Sequence, residues 1–140
     1  MKQIFRTFSF IAVFIMLASV GRAADGVAVV CNPDLQIDAL NSKELQEIFT
    51  GKTRYWGNGD PVVIVVIKDF DDEAIKEITG MSASAFRTHW QRLVFSGRGD
   101  QPKNASDATD ALNLVSSVKG AIAILPAAAD LSQVKQLAVN

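Results

Sequence analysis

The apolar residues of this chain are arranged in two kinds of segment, which alternate along it. Runs without polar alternation cover residues 27–31, 62–67 and 121–125, and residues 134–139 form a weaker fourth run. Such runs are typical of strands that are buried on both faces of a sheet. The segments between them repeat apolar residues at helical spacing. The pattern therefore predicts a three-layer α/β domain, with a mixed, mostly parallel sheet between layers of helices.

Four helices are predicted from their end signals. Asn41 and Glu44 form a capping box at the start of the first helix, and Gly51 follows its last apolar residues. The expected N-caps of the later helices are Asp71, Ser82, and either Ser106 or Asp107. An amphipathic stripe follows each cap, so each helix should pack one face on the sheet.

Two segments with paired glycines, residues 52–60 and 96–102, interrupt the pattern and are expected to be loops. The first contains Arg54, Tyr55 and Trp56, which either form a platform for a sugar or peptide or cover the edge of the sheet as core residues. The second begins a stretch that is rich in donors for an anion. The candidate anion ligands are Ser96, Gly97, Arg98, Gly99, Lys103 and Ser106. The alternative is a solvated loop with ordinary surface charge.

The first 23 residues have the pattern of a secretory signal peptide. Lys2 and Arg6 precede an apolar run at residues 8–20, and small residues precede a cleavage point after Ala23. The run is shorter than the roughly 20 residues that span a bilayer. We therefore expect export to the periplasm or the exterior, no stable membrane anchor, and a single domain over residues 24–140.

The net charge of residues 24–140 excludes some classes of binding partner. This part of the chain carries 11 basic and 15 acidic side chains, a net charge of −4. An acidic domain has no long-range attraction for nucleic acid or for anionic lipid, so neither is an expected partner. The remaining 117 residues supply one hydrophobic core. The expected partners are a small oxyanion such as phosphate, a periplasmic protein, or a second copy of the chain.

Residues that could carry catalysis or bind a metal are scarce. Cys31 is the only cysteine and His89 the only histidine, so a zinc site would have to recruit several carboxylates. No Gly-x-Ser-x-Gly turn is present to hold a nucleophile. Cys31 is expected to be a buried thiol, and His89 a boundary residue of a packed helix. The sequence predicts no enzymatic activity, no metal and no cofactor.

Three sequence motifs occur one after another along the chain. In the first, a helix that ends in an aromatic residue is followed by a Gly-Lys pair and a tryptophan; its matching residues are Leu45, Ile48, Phe49, Gly51, Lys52 and Trp56. Residues 81–99 contain a tryptophan and end in Phe-Ser-Gly-Arg-Gly, and residues 119–125 form an apolar strand after an amphipathic helix. In this order the chain resembles the phosphate ABC transporter substrate-binding proteins over nearly all of residues 27–126. The resemblance implies the fold of one lobe of a type II periplasmic binding protein.

Two departures from that family change what the resemblance implies for a ligand. In the family, an arginine and a Ser-Gly-Thr turn at a helix N-terminus donate hydrogen bonds to phosphate, whereas residues 68–73 here read Lys-Asp-Phe-Asp-Asp-Glu. The carboxylates of this segment are expected to stabilise the N-terminus of the second helix. The alternative interpretation is that they form a cation site. The second departure is length, because 117 residues supply one lobe and a single open lobe leaves its ligand in water.

Two functions remain open at this point. The first is a periplasmic solute-binding-protein-like module, related to phosphate transport, with weak or lost phosphate binding. The alternative is a periplasmic interaction or scaffold protein that keeps the fold without a small ligand. The first predicts an anion near Arg98, and the second predicts an exposed aromatic patch around Tyr55 and Trp56.

Overall fold

A six-stranded sheet runs through the middle of the molecule. The structure is a computed structural model that describes residues 26–69, 72–127 and 129–140. Within these residues the strands are β1 (Val27–Cys31), β2 (Ala39–Leu40), β3 (Val63–Ile67), β4 (Lys103–Ala105), β5 (Ala121–Pro126) and β6 (Lys135–Val139). The helices are α1 (Ser42–Phe49), α2 (Asp72–Thr79), α3 (Ala83–Phe95) and α4 (Ala108–Ser117).

The strands lie in the order β2-β6-β1-β5-β3-β4. Strand β3 pairs in parallel with β4 and β5, and β2 pairs in parallel with β6. Strand β1 is antiparallel to both of its neighbours, β5 and β6. Three of the five neighbouring pairs are thus parallel, which confirms the predicted mixed, mostly parallel sheet.

Alternate residues of the central strands face opposite layers of helices. On one face, α1, α2 and α3 pack on large side chains, which in β5 are Ile122 and Ile124. On the other face, α4 packs on Ala121, Ala123 and Leu125 of the same strand. Small alanine side chains let a single helix lie close to the strands, whereas the larger isoleucines fill the space under three helices. The predicted three-layer arrangement is confirmed.

The ends of the helices follow their sequence signals. Asn41 Oδ1 accepts from the Glu44 amide at 2.8 Å, and Glu44 Oε2 accepts from the Asn41 amide at 2.9 Å, so the predicted capping box is present. Ser82 caps α3, and Asp107 rather than Ser106 caps α4. The predicted cap Asp71 and the predicted signal peptide lie outside the described residues.

Two short strands were not predicted. Strand β2 has two residues, and β4 reads Lys-Asn-Ala, of which only Ala105 is buried. Neither carries enough apolar residues to give a pattern, and each is held in the sheet by its pairing with a longer neighbour. The stretch after residue 102 is therefore not part of a loop, as the sequence suggested, but an edge strand beside β3.

A buried asparagine ties β1 to the far end of α4. Asn32 is 3% exposed, and its Nδ2 donates to the carbonyl oxygens of Val115 and Val118, each at 3.0 Å. Its Oδ1 accepts from the Asp34 amide at 3.0 Å. This side chain donates to carbonyls at the end of α4, where a helix leaves backbone acceptors without an intrahelical partner.

A second tie joins the loop after α1 to the start of β5. Trp56 Nε1 donates to the Gly120 carbonyl at 2.9 Å, and the same oxygen accepts from the Val63 amide at 3.0 Å. Gly120 has a φ of 79°, and a Cβ placed there would lie 2.2 Å from the Pro61 carbonyl oxygen. Only glycine fits this crossing of the two chain segments.

Within the part of the chain that the structure describes, no helix combines the length and the apolar character that crossing a membrane requires.

We predict that Gly120→Ala lowers the free energy of unfolding by at least about 3 kcal/mol, because backbone strain and a backbone clash add together. Gly59→Ala is the matched control: Gly59 has a φ of 89°, but nothing lies within 4 Å of its Cβ position. The control should cost about 1 to 2 kcal/mol, since only the left-handed conformation is penalised. Urea unfolding of both variants measures the difference, and equal losses would contradict the described crossing.

Cys31 is the last residue of β1, and its side chain is fully buried, as the sequence predicted. Burial raises the pKa of the thiol from 9.0 to about 11, and the nearby Lys135 offsets part of that rise. The thiol is therefore protonated at neutral pH and is a poor nucleophile.

The pKa of Cys31 also predicts how alkali destabilises the fold. Because the folded-state pKa lies above the unfolded value, the stabilisation is complete below about pH 9 and is lost as pH rises towards about 11. Cys31→Ala should remove this part of the loss, so the stability difference between wild type and variant should shrink by about 2 kcal/mol across that window. Urea unfolding at a series of pH values tests this, and parallel profiles would contradict it.

Candidate functional site

Two concave regions lie at opposite ends of the parallel strands. The first, named here the carboxyl-end cleft, has a volume of about 450 Å³ and lies where β3, β4 and β5 end. Its lining residues are Gly26, Val27, Ile67, Asp69, Ser106, Asp107, Ala108 and Pro126. The second, named the amino-end groove, has a volume of about 280 Å³ and lies where β3 and β4 begin. Ligands of open α/β sheets usually bind at the carboxyl ends of the strands.

The carboxyl-end cleft is acidic. Of the residues that the structure describes, Asp69 and Asp107 line it, and no lysine or arginine does. Asp69 has a φ of 59°, a left-handed conformation that aspartate tolerates better than most residues. The sequence signal for this acidity was the run of carboxylates after β3, and the structure adds Asp107 from the start of α4.

Three of the donors at the start of α4 are already used by the protein. The amide and hydroxyl of Ser106 donate to Asp110 Oδ2 at 2.9 and 3.3 Å. The Asp110 amide in turn donates to Asp107 Oδ1 at 2.8 Å. The helix N-terminus that could attract an anion is thus occupied by its own carboxylates.

The six candidate anion ligands do not lie together. Gly99 and Lys103 line the amino-end groove, whereas Ser106 lines the carboxyl-end cleft. Ser96 is exposed at the end of α3, and its hydroxyl donates to the Leu93 carbonyl at 3.1 Å. Gly97 and Arg98 belong to the same turn, are exposed and line neither region. Because β4 separates residue 103 from residue 106, one anion cannot contact both ends of the set.

The three candidate platform residues lie in two different environments. Trp56 is 8% exposed and belongs to the core, which was one of the two interpretations of this segment. Tyr55 is 60% exposed, and it lines the amino-end groove together with Arg54 and Lys103. The grouping of Arg54 with Lys103 was missed, because it depends on the unpredicted strand β4 lying beside β3.

His89 has a structural place at the end of α1. Its Nε2 lies 2.7 Å from the Thr50 carbonyl oxygen, to which it can only donate. The neighbouring Trp90 donates from Nε1 to the Phe49 carbonyl at 3.0 Å. His89 is half-buried, in agreement with its predicted place at the boundary of a packed helix. Among the described residues, no three histidine, cysteine or carboxylate side chains converge to hold a metal.

Comparison with known proteins gives matches in structure only. No protein-family profile matches the chain, and no curated relative does. An ABC-type phosphate transport receptor from Vibrio cholerae aligns with 15% identity and a TM-score of 0.56 over 81% of this chain and 46% of its own. PstS from Borrelia burgdorferi aligns with 11% identity and a TM-score of 0.58, over 82% of this chain and 47% of its own.

A third match is a Clostridium perfringens protein solved with bound phosphate, at 19% identity and a TM-score of 0.57. The alignment covers 81% of this chain and 44% of the Clostridium perfringens protein. The chain therefore spans less than half the length of each of the three proteins. At these identities the likeness shows the fold alone: the chain has the α/β fold of one part of these phosphate-binding and phosphate-transport proteins.

Proposed function

We propose that this chain is a solute-binding-protein-like module without enzymatic activity, whose carboxyl-end cleft binds phosphate weakly or not at all. The fold likeness to phosphate receptors supports the first half of the proposal. The observation that carries the second half is the charge of the cleft, which is lined by Asp69 and Asp107 and by no cation within residues 26–69, 72–127 and 129–140.

The acidic cleft opposes phosphate for two physical reasons. A carboxylate at about 4 Å from a phosphate charge costs about 1 kcal/mol in water and about 4 kcal/mol in a partly buried site. The amide and hydroxyl of Ser106, which would otherwise be donors, are held by Asp110. An anion would have to displace that carboxylate before it gained a hydrogen bond from Ser106.

We predict that phosphate up to about 10 mM leaves the melting temperature of the wild-type protein unchanged, because a ligand far below its Kd adds almost no stability. The double variant Asp69→Asn/Asp107→Ser should respond to phosphate with a measurable rise. Asparagine tolerates the left-handed conformation and serine keeps the helix cap, so the fold should persist.

The control for that experiment is Glu47→Gln/Glu77→Gln, which removes two charges from α1 and α2 without changing the lining of either concave region. It should behave like the wild type, and sulfate and chloride at equal ionic strength separate specific binding from screening. A saturable rise in the melting temperature of the wild-type protein at micromolar phosphate would reject the proposal.

The proposal includes export through the segment that ends at Ala23, which is supported by its charged start, apolar run and small residues. Expression of the full chain in a Gram-negative host should give a periplasmic product that begins at Ala24, as read by intact mass. Ala23→Tyr should leave the precursor uncut, because signal peptidase requires a small residue there. Unprocessed wild-type chain in the cytosol would contradict this prediction.

A further inference from the structure

The floor of the amino-end groove includes part of the Trp90 indole, which is largely buried and 6% exposed. The indole of Trp90 lies between two glycines that belong to different loops. A Cβ at Gly51 would lie 3.1 Å from Trp90 Cη2, and a Cβ at Gly99 would lie 3.1 Å from Trp90 Cζ3. Both loops therefore approach the ring more closely than a larger residue would allow, and Ile48 and Ile64 extend the apolar floor.

The backbone acceptors beside this floor are already satisfied. The carbonyls at the end of α1 accept from Thr50 N, Gly51 N, Lys52 N, Thr53 N, His89 Nε2 and Trp90 Nε1. The end of a helix otherwise repels anions, because its last carbonyl groups are unpaired and carry partial negative charge. Here donors of the protein cover those groups.

The side chains at the rim of the groove are mainly free donors. Among the described residues, Arg54 and Lys103 form no ion pair, and neither the Tyr55 hydroxyl nor these two cations has a side-chain hydrogen bond. The backbone of this rim is ordered, since the Arg54 carbonyl accepts from the Val62 amide at 2.9 Å and Tyr55 bridges to Pro61. Asp100 is the one acidic lining residue in the described part of the chain, so the rim formed by these residues carries a net positive charge in a chain whose net charge is −1.

The size of the groove restricts what it can hold. Its volume of about 280 Å³ equals about nine water molecules at ~30 Å³ each, close to the lower limit of ligand pockets. One ring or a short acyl chain with a carboxylate fits that space, and a folded peptide segment does not. An apolar floor with a few polar groups at one side is typical of small-molecule sites.

We propose that the amino-end groove binds a small organic anion with a flat apolar body, of the class of aromatic carboxylates. The body lies beside the exposed ring of Tyr55 and against the apolar floor, and the carboxylate is bound by Arg54 and Lys103, which line the same groove. A guanidinium and an ammonium favour a carboxylate by charge-assisted hydrogen bonds. This site is independent of the carboxyl-end cleft, which lies at the other end of the sheet.

The test is a titration of the 15N-labelled protein with benzoate, followed by amide chemical shifts. Benzyl alcohol serves as the ring without charge, and inorganic phosphate as the charge without a ring. Benzoate should shift the amides of Thr53, Tyr55, Gly99 and Lys103 in a saturable way. Its affinity should exceed that of benzyl alcohol by about tenfold, the effect of about 1.4 kcal/mol.

Charge variants test whether benzoate affinity falls when a cation is removed and rises when a carboxylate is removed. Arg54→Gln and Lys103→Gln should each weaken benzoate binding by about fivefold, and Asp100→Asn should strengthen it by about threefold, as expected for partly exposed charges. Arg87→Gln on the exposed part of α3 is the matched control and should change nothing. All four positions are at the surface, so an unchanged melting temperature confirms that the variants are folded.

Several outcomes would overturn the proposal. Equal affinity for benzoate and benzyl alcohol would show an apolar crevice without anion preference, and equal competition by phosphate would show a simple cationic patch. Benzoate shifts confined to residues 106–108 would place binding at the carboxyl-end cleft instead. Phosphate shifts at those residues that saturate at micromolar concentration would reject the function proposed for that cleft but leave the result at the groove intact.

Discussion

Strand β5 lies inside the six-stranded sheet, and the need to cover both of its faces organises the rest of the chain. Residues 121–125 are almost wholly buried, with isoleucines towards one layer of helices and mostly alanines towards the other. A strand of this kind is stable only between two layers, because neither face can be left to water. The single helix α4 fits the shallow alanine face, and α1, α2 and α3 together cover the deeper one.

This arrangement leaves two ends of the sheet with opposite electrostatics. At the carboxyl ends of the strands, Asp69 and Asp107 lie where ligands of open α/β sheets usually bind. At the amino ends, Arg54 and Lys103 flank an aromatic floor. The net charge of the chain does not reveal this difference, because acidic side chains elsewhere offset the two cations of the groove. The two regions therefore differ in charge, although they share the strands β3 and β4.

The sequence predicted the parts of the fold that rest on local chemistry. The capping box at Asn41, the cap at Ser82 and the long apolar strands are each read from a few neighbouring residues. Strand β4 was missed because Lys103 and Asn104 carry no apolar signal, and its place is set by pairing with β3. The role of Asn32 was missed for a similar reason, since its partners lie more than 80 residues away. Long-range pairing is invisible to a local pattern.

The candidate site shows the same limit. The sequence marked Arg54, Gly99 and Lys103 as residues of interest but assigned them to two unrelated loops. They meet because β3 and β4 pair in parallel register and because two glycines close on one indole. The separation of Ser106 from Lys103 has the same origin, since a strand that was expected to be a loop carries them to opposite ends.

The two tryptophans sit in distinct surroundings that optical spectroscopy can tell apart. Both indole NH groups donate to backbone carbonyls, Trp56 at the start of β5 and Trp90 at the end of α1. Of the two, Trp90 is the one that lines the amino-end groove. A molecule bound in the groove would change the fluorescence emission of Trp90, whereas the emission of Trp56 would continue to report an intact sheet. Trp56 therefore serves as an internal reference when occupancy of the groove is measured.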